Sequence, residues 1–345
     1  MNNNLEIYDR FKGAETGAYI GDALAMPAHW YYNREELHKV FGVIRDFKDP
    51  PEVHTGSFLW RSSYEPEEIE FDILGRQRKY WGVKNIHYHQ FLEAGENTLN
   101  LKLLSLALDM VSELGRYDRD TYIKKYMKFM LHPDEHRDTY IEECHRGFFI
   151  NLKKGLKPDK CAIEEKHIGG MVHVIPLYSK LRSMGYDPDT AGDFVQEHVS
   201  VTHKGEKIRK GVKTLISLAE EIIGGKTLED SLKSHLEKQD LEYLTGKIAS
   251  LTSKPDLEVL GRVFSIACYL EDSLPASFYL ALKYSSLPEE ALIQNTMAGG
   301  DNCHRGAVIG ALLGLAGGEN IFPSKWKDNL IKLENNVPLT IKGIK

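Results

Sequence analysis

The sequence predicts an all-α fold, and three observations carry that expectation. Apolar residues recur at three- and four-residue steps, alternation over strand lengths is scarce, and periodic segments of helical length stop repeatedly at glycine, proline and aspartate turns. Leu99, Leu103, Leu106, Met110 and Leu114 mark one such face, and Leu215, Leu218, Ile222 and Ile223 another. The turns fall at Gly115-Arg116-Tyr117-Asp118, Gly155-Leu156-Lys157-Pro158-Asp159, Gly185-Tyr186-Asp187-Pro188-Asp189 and Gly224-Gly225-Lys226-Thr227. Many helices joined by short loops are expected.

Composition narrows the class further. Apolar residues make up 42% of the 345 positions, enough for a substantial core and too many for a wholly disordered chain. The formal charge of -6 has no long like-charge block behind it, so non-specific nucleic-acid binding is not expected. No apolar run approaches the ~18 residues of a membrane span. The opening Met1-Asn2-Asn3-Asn4-Leu5-Glu6 has neither the basic start nor the apolar stretch of a signal peptide. A cytoplasmic protein without a membrane partner is therefore expected. Cys144, Cys161, Cys268 and Cys303 have no Cys-x-x-Cys spacing and read as reduced thiols.

Taken in order along the chain, the first element is a helix with Gly13, Gly17 and Gly21 at every fourth position. Gly306, Gly310 and Gly314 repeat the spacing near the other end. Each set strips one stripe of a helix of side chains, which lets another backbone come close, so the two helices are expected to be neighbours. The first ends at Asp22, followed by a proline turn and His29. Residues 41–85 lack sustained periodicity and are rich in Pro, Gly, Asp and aromatics, which reads as a long irregular insertion. Trp30, Tyr31, Tyr32, Trp60 and Tyr64 in and near it read as core more readily than as stacking surfaces for a base or sugar.

Two later segments place polar oxygens where an apolar helix begins: Ala94-Gly95-Glu96-Asn97-Thr98 before Leu99, and Gly299-Gly300-Asp301-Asn302-Cys303-His304 before the second glycine-striped helix. A helix N-terminus presents unpaired N–H groups and partial positive charge, so such residues either cap the helix or help hold an anion. His87 and His89 lie just upstream of Glu96, with imidazoles suited to ligation or proton transfer near neutrality.

In combination these segments resemble the ADP-ribosyl glycohydrolases. Gly17-Ala18-Tyr19-Ile20-Gly21-Asp22-Ala23-Leu24 is similar to the opening helix of that family, and Gly95-Glu96-Asn97-Thr98 falls where it has Thr-Asp-Asp-Thr. Gly169-Gly170-Met171-Val172-His173-Val174-Ile175-Pro176 resembles its Gly-x-x-Met-Arg-x-x-Pro segment, Val201-Thr202-His203 its Thr-His step, and Gly299-Gly300-Asp301 the start of its last motif. The resemblance implies a compact multi-helix orthogonal bundle, one domain over 1–345 with the insertion inside it. It also implies hydrolysis of an N- or O-glycosidic bond to ribose in an ADP-ribosylated or nucleoside-type substrate.

Family members hold two magnesium or manganese ions on carboxylates of these motifs, as the resemblance implies. Here Asn302, Cys303 and His304 stand where the family has Thr, Asp and Thr, and Gly95, Glu96 and Asn97 replace Thr, Asp and Asp. Glu96 and Asp301 alone keep an anionic oxygen, so one divalent cation at most is expected instead of two, magnesium or manganese, with zinc on Cys303, His304, Asp301 and Glu96 as the softer alternative. Glu96, Asp301 and His29 are the expected catalytic groups. Asp22, Asn97, Thr98, Gly169, Gly170, Met171, His203, Gly299, Gly300 and Asn302 are expected around an ADP-ribose-like ligand. The lost carboxylates also motivate a member that binds such ligands, or serves a structural role, without turnover. Metal-free chemistry on His29, Glu96 or Cys303 is a third possibility.

Overall fold

The computed structural model describes residues 2–65, 69–132, 135–238 and 247–331. Fifteen α-helices run through these residues: α1 (Asn2–Ala25), α2 (Arg34–Phe41), α3 (Leu99–Leu114), α4 (Arg119–Leu131), α5 (Glu143–Lys153), α6 (Val174–Ser183), α7 (Pro188–Val199), α8 (Glu206–Ile223), α9 (Leu228–Lys238), α10 (Lys247–Leu251), α11 (Asp256–Glu258), α12 (Leu270–Lys283), α13 (Pro288–Ala298), α14 (Asn302–Gly317) and α15 (Ser324–Asp328). Two-residue strands, β1 (Ile163–Glu164) and β2 (His203–Lys204), pair in parallel. The all-α expectation holds, and each of the four predicted turns separates helices or follows one.

Local chemistry explains several boundaries. Asn33 caps α2 by accepting from the N–H groups of Glu35 (3.0 Å) and Glu36 (3.2 Å). Asp118 caps α4 through Thr121 N at 3.0 Å, and Asp187 caps α7 with Pro188 in the first helical position. Gly115 ends α3 with φ at 68°, a conformation a side chain would resist.

Helix α14 is the centre of the molecule, buried from Asn302 to Leu315 on every side. Its glycine stripe meets that of α1 in antiparallel order. A β-carbon on Gly17 would lie 2.1 Å from Gly310 O, one on Gly21 2.0 Å from Gly306 O, and one on Gly13 2.4 Å from Gly314 O. Only backbone on backbone fits at these distances. Because the helices run in opposite directions, the end of α1 arrives beside the start of α14, which brings residues 22–31 to residues 299–304.

Among the described residues between α2 and α3 the helical segments are short 3₁₀ turns, at Leu59–Arg61, Ile69–Phe71 and Gly75–Tyr80. The irregular stretch thus runs on to Thr98, further than the sequence suggested. It is not a detached excursion, since Leu59, Ile73, Leu74 and Tyr88 are buried. Trp30, Tyr31 and Tyr64 are core residues, whereas Tyr32 and Trp60 are exposed. All four cysteines are free, and no helix among the described residues is long and apolar enough to cross a membrane.

Candidate active site

The double glycine builds the site. Gly299 (φ 70°) and Gly300 (φ 63°) turn through the left-handed region, and β-carbons there would sit 2.1 Å from Tyr31 O and 2.0 Å from Ile266 O. Gly300 N donates to Tyr31 O and Trp30 N donates to Gly300 O, both at 2.8 Å, while Asp301 N donates to Ile266 O at 2.8 Å. Buried Arg305 pins the same turn through Gly299 O (2.6 Å), Ile266 O (3.0 Å) and Asn295 Oδ1 (3.2 Å). Trp30, beside His29, is held at φ 60°, an uncommon state for a bulky residue and a local strain of the kind found at functional sites.

Asp301 occupies the cap position of α14 but caps nothing. Its carboxylate faces two imidazoles instead: His29 Nε2 lies 3.2 Å from Oδ1, and His304 Nδ1 lies 2.8 Å from Oδ1 and 3.0 Å from Oδ2. From His304 the network continues, Nε2 lying 3.0 Å from Glu142 Oε1 and 2.9 Å from the Asn100 amide. From His29, Nδ1 lies 2.7 Å from His89 Nε2, and His89 Nδ1 contacts Asp138. The Asn100 amide also reaches His145 Nε2 at 3.1 Å, and its backbone carbonyl meets His173 Nε2 at 2.7 Å.

Burial and charge act in opposite directions on this string. Burial opposes ionisation of Asp301, but His304, and then the contact with His29, outweigh it and hold its pKa well below the usual carboxylate range. Burial also opposes charging of His304, yet Asp301 and Glu142 push its pKa well above that of a free imidazole. Burial dominates at His29, which drops to about 4 in spite of Asp301. Glu142 is driven down mainly by His304, against its own desolvation.

The other predicted residues divide into distinct groups. Glu96 is not in the groups that contain Asp301: buried Lys102 Nζ lies 2.6 Å from one of its oxygens and half-exposed Arg137 2.5 Å from the other, so its charge is spent in ion pairs. Asp22 is held by Asn97 Nδ2 (2.9 Å), Thr98 N (2.8 Å) and Thr98 Oγ1 (2.7 Å), which ties the end of α1 to the start of α3. Asn302 donates to Ala28 O (3.2 Å) and Thr296 O (2.9 Å). Cys303 sits with Ala25, Met26 and Leu92, its thiol pushed up well above its ordinary range by burial first and Asp22 second. Met171 packs against Gly211 of α8. Gly169 and Gly170 make room for Glu142, Asn100 and His203: a β-carbon on Gly169 would lie 2.7 Å from Glu142 Oε2, and one on Gly170 2.9 Å from the His203 ring.

Sequence reasoning missed Glu142, Asn100, His145 and Asp138. Two signals were available. Glu142 precedes a helix just as Glu96 and Asp301 do, and Asn100 is a polar residue on the buried face of an apolar helix.

The network borders a cavity at His203. His203, Glu142 and Cys144 gather with donor atoms within 4.8 Å of one another. The Nδ1 of His203 contacts Thr202 Oγ1 at 2.8 Å, while its buried Nε2 has no hydrogen-bond partner among the described residues. The same ring lines both a narrow internal cleft, with Asn100, His145, Gly169 and Gly170, and an open surface cavity of about 590 Å³. That volume is in the range of small-molecule sites.

A helical bundle thus encloses a buried network of carboxylates and imidazoles that adjoins a ligand-sized cavity at His203. The ADP-ribosylglycohydrolase family profile matches residues 3–340, and the chain belongs to that family. A solved structure described as an ADP-ribosylglycohydrolase-related protein complex shares the fold, with 17% identity, a TM-score of 0.60, and coverage of 95% of this chain and 94% of that one. No curated protein gives a significant match.

The paired hard cations implied by the family do not fit these residues. Gly95 has no side chain, Glu96 is neutralised by two cations, Asn97 and Asn302 point amide N–H groups at oxygens, and Cys303 is a protonated thiol. Asp301 remains as one buried carboxylate, too little negative charge for two neighbouring dications. Groups of His, Cys, Asp and Glu capable of holding an ion are nevertheless present, namely His29, Asp301 and His304; His29, His89 and Cys303; and Glu142, Cys144 and His203.

Proposed function

We propose that the protein hydrolyses an N- or O-glycosidic bond to ribose in an ADP-ribosylated or nucleoside-type substrate. The reading takes residues 1–345 as one domain, with the substrate entering from the cavity at His203. The observation that carries it is the buried Asp301–His304–Glu142 string reaching that wall. Cleavage at the anomeric carbon passes through a cation-like sugar, and the fixed carboxylates of Asp301 and Glu142 are suited to stabilise the developing charge without reorganising. His203 Nε2, unpartnered and beside Glu142, is positioned to exchange a proton with the leaving group or the attacking water. In this reading Glu96 positions the start of α3 and does not touch substrate. His29 orients Asp301 through their contact. Asp22, Asn97 and Thr98 tie the end of α1 to the start of α3.

The test is incubation of the pure protein with ADP-ribosyl-arginine, ADP-ribosyl-serine and simple nucleosides, with product ribose or ADP-ribose quantified by chromatography, with and without added divalent ions. Release of product that disappears in Asp301→Asn supports the reading; no release under any condition rejects it. A second reading, binding without turnover, is favoured by one observation: Glu96 is locked to Lys102 and Arg137. A rise in melting temperature with ADP-ribose but no consumption of substrate would select it.

A further inference from the structure

We propose that His29, Asp301 and His304 bind one first-row transition dication, represented by zinc, in place of the family's paired hard cations. The same arrangement occurs twice around Asp301. Each imidazole turns one nitrogen inward to the carboxylate, His29 Nε2 at 3.2 Å and His304 Nδ1 at 2.8 Å. Each turns its other nitrogen outward to an acceptor. For His304 this is Glu142 Oε1, 3.0 Å away; the Asn100 amide nitrogen, 2.9 Å from the same ring nitrogen, also donates to that carboxylate at 3.2 Å. For His29 it is His89 Nε2, 2.7 Å away, backed in turn by Asp138. Histidines that ligate a metal almost always donate their outer N–H in this way, which fixes the tautomer and aims the inner lone pair at the ion. A binding cation displaces the proton that His304 turns toward Asp301; with protons left on the outer nitrogens, two lone pairs and a carboxylate converge on one point.

The dimensions agree. The three donor atoms lie within 4.8 Å of one another. Four-coordinate zinc with bonds of about 2.0–2.2 Å places its ligands about 3.3 Å apart, so the two imidazole-to-carboxylate distances need lengthen by only a few tenths of an ångström. Two imidazoles and one carboxylate select a transition ion over magnesium, which prefers oxygen ligands throughout and retains its waters. Three protein ligands leave a coordination position open. Cys303 belongs to a different triplet, with His29 and His89, and is not a ligand in this arrangement.

The experiment uses the full chain, stripped with a chelator and titrated with zinc, cobalt and magnesium, followed by X-ray absorption of the zinc-loaded wild type. Expected are one zinc or cobalt per chain, nitrogen and oxygen neighbours without sulfur, and no displacement by about a hundredfold excess of magnesium. His29→Ala and His304→Ala should each weaken zinc binding at least about 100-fold, and Cys303→Ser should change it less than about twofold. Absence of stoichiometric binding, sulfur in the inner shell, or magnesium competing equally would overturn the site. The wild-type spectrum decides the matter even if a variant fails to fold. Binding is read without substrate, so a metal-free active hydrolase defeats this inference alone, and a metal-loaded inert protein defeats the hydrolase reading alone.

Discussion

The starts of α3 and α14 look alike in sequence, each a glycine, an acid and small polar residues ahead of an apolar helix, yet they do opposite things. At α3 every polar group is consumed by its neighbours: Glu96 by Lys102 and Arg137, Asn97 and Thr98 by Asp22. At α14 the side-chain contacts of the acid are with two imidazoles, His29 and His304, and the second leads through Glu142 to the His203 cavity. An acid at a helix start becomes a brace or a reactive group according to what faces it. Cations on long side chains make a brace, whereas imidazoles, able to gain and lose protons or bind a metal, make a site.

The largest effect expected is on the seam that sets the second region in place. A β-carbon on Gly310 would lie 1.9 Å from Gly17 O, so Gly310→Val should destabilise the protein by more than about 4 kcal/mol, by chemical denaturation, or prevent folding. If it is tolerated, the close approach of α1 and α14 is not what aligns His29 with Asp301.

The brace at α3 comes next. Lys102→Met leaves Glu96 paired with half-exposed Arg137 alone and should cost about 1–3 kcal/mol. The double variant with Glu96→Gln should recover part of that loss, because the carboxylate that lost its buried partner is gone. A single and a double variant of equal stability would show that Glu96 is not a structural ion pair.

The sharpest test of the contrast is a swap of readouts. Asp301→Asn should reduce turnover by about 10²–10³-fold with a modest change in melting temperature, while Glu96→Gln should lower the melting temperature with turnover reduced less than about tenfold. The reverse pattern would exchange the roles of the two helix starts. Smallest of all, Asp118→Ala removes an ordinary cap on α4 and should cost about 1 kcal/mol. It calibrates what an acid at a helix start is worth when capping is its only task.

Much of the architecture was legible because local rules and global packing agree. Periodicity fixed the helices, Gly115 and the Asp187-Pro188 pair marked their ends, and the two glycine stripes announced a close helix pair. The site was legible in part. Asp301, His304 and His29 could be singled out from their motifs, but Glu142 and Asn100 could not be assigned to them, since they are brought in from other helices. The surroundings of Glu96 were hidden for the same reason: nothing in Ala94-Gly95-Glu96-Asn97-Thr98 reveals that Arg137, 41 residues on, will reach its carboxylate.

By itself, then, the sequence determined the helical class, the contact of the first helix with the last long one, and the kinds of side chain offered at each helix start. Tertiary structure decided which of those side chains meet. The physical reason is range: helix periodicity and capping act over a few residues, while the charge state of a buried acid depends on whatever lies within a few ångströms of it in space, as His29 does for Asp301 from 272 positions away.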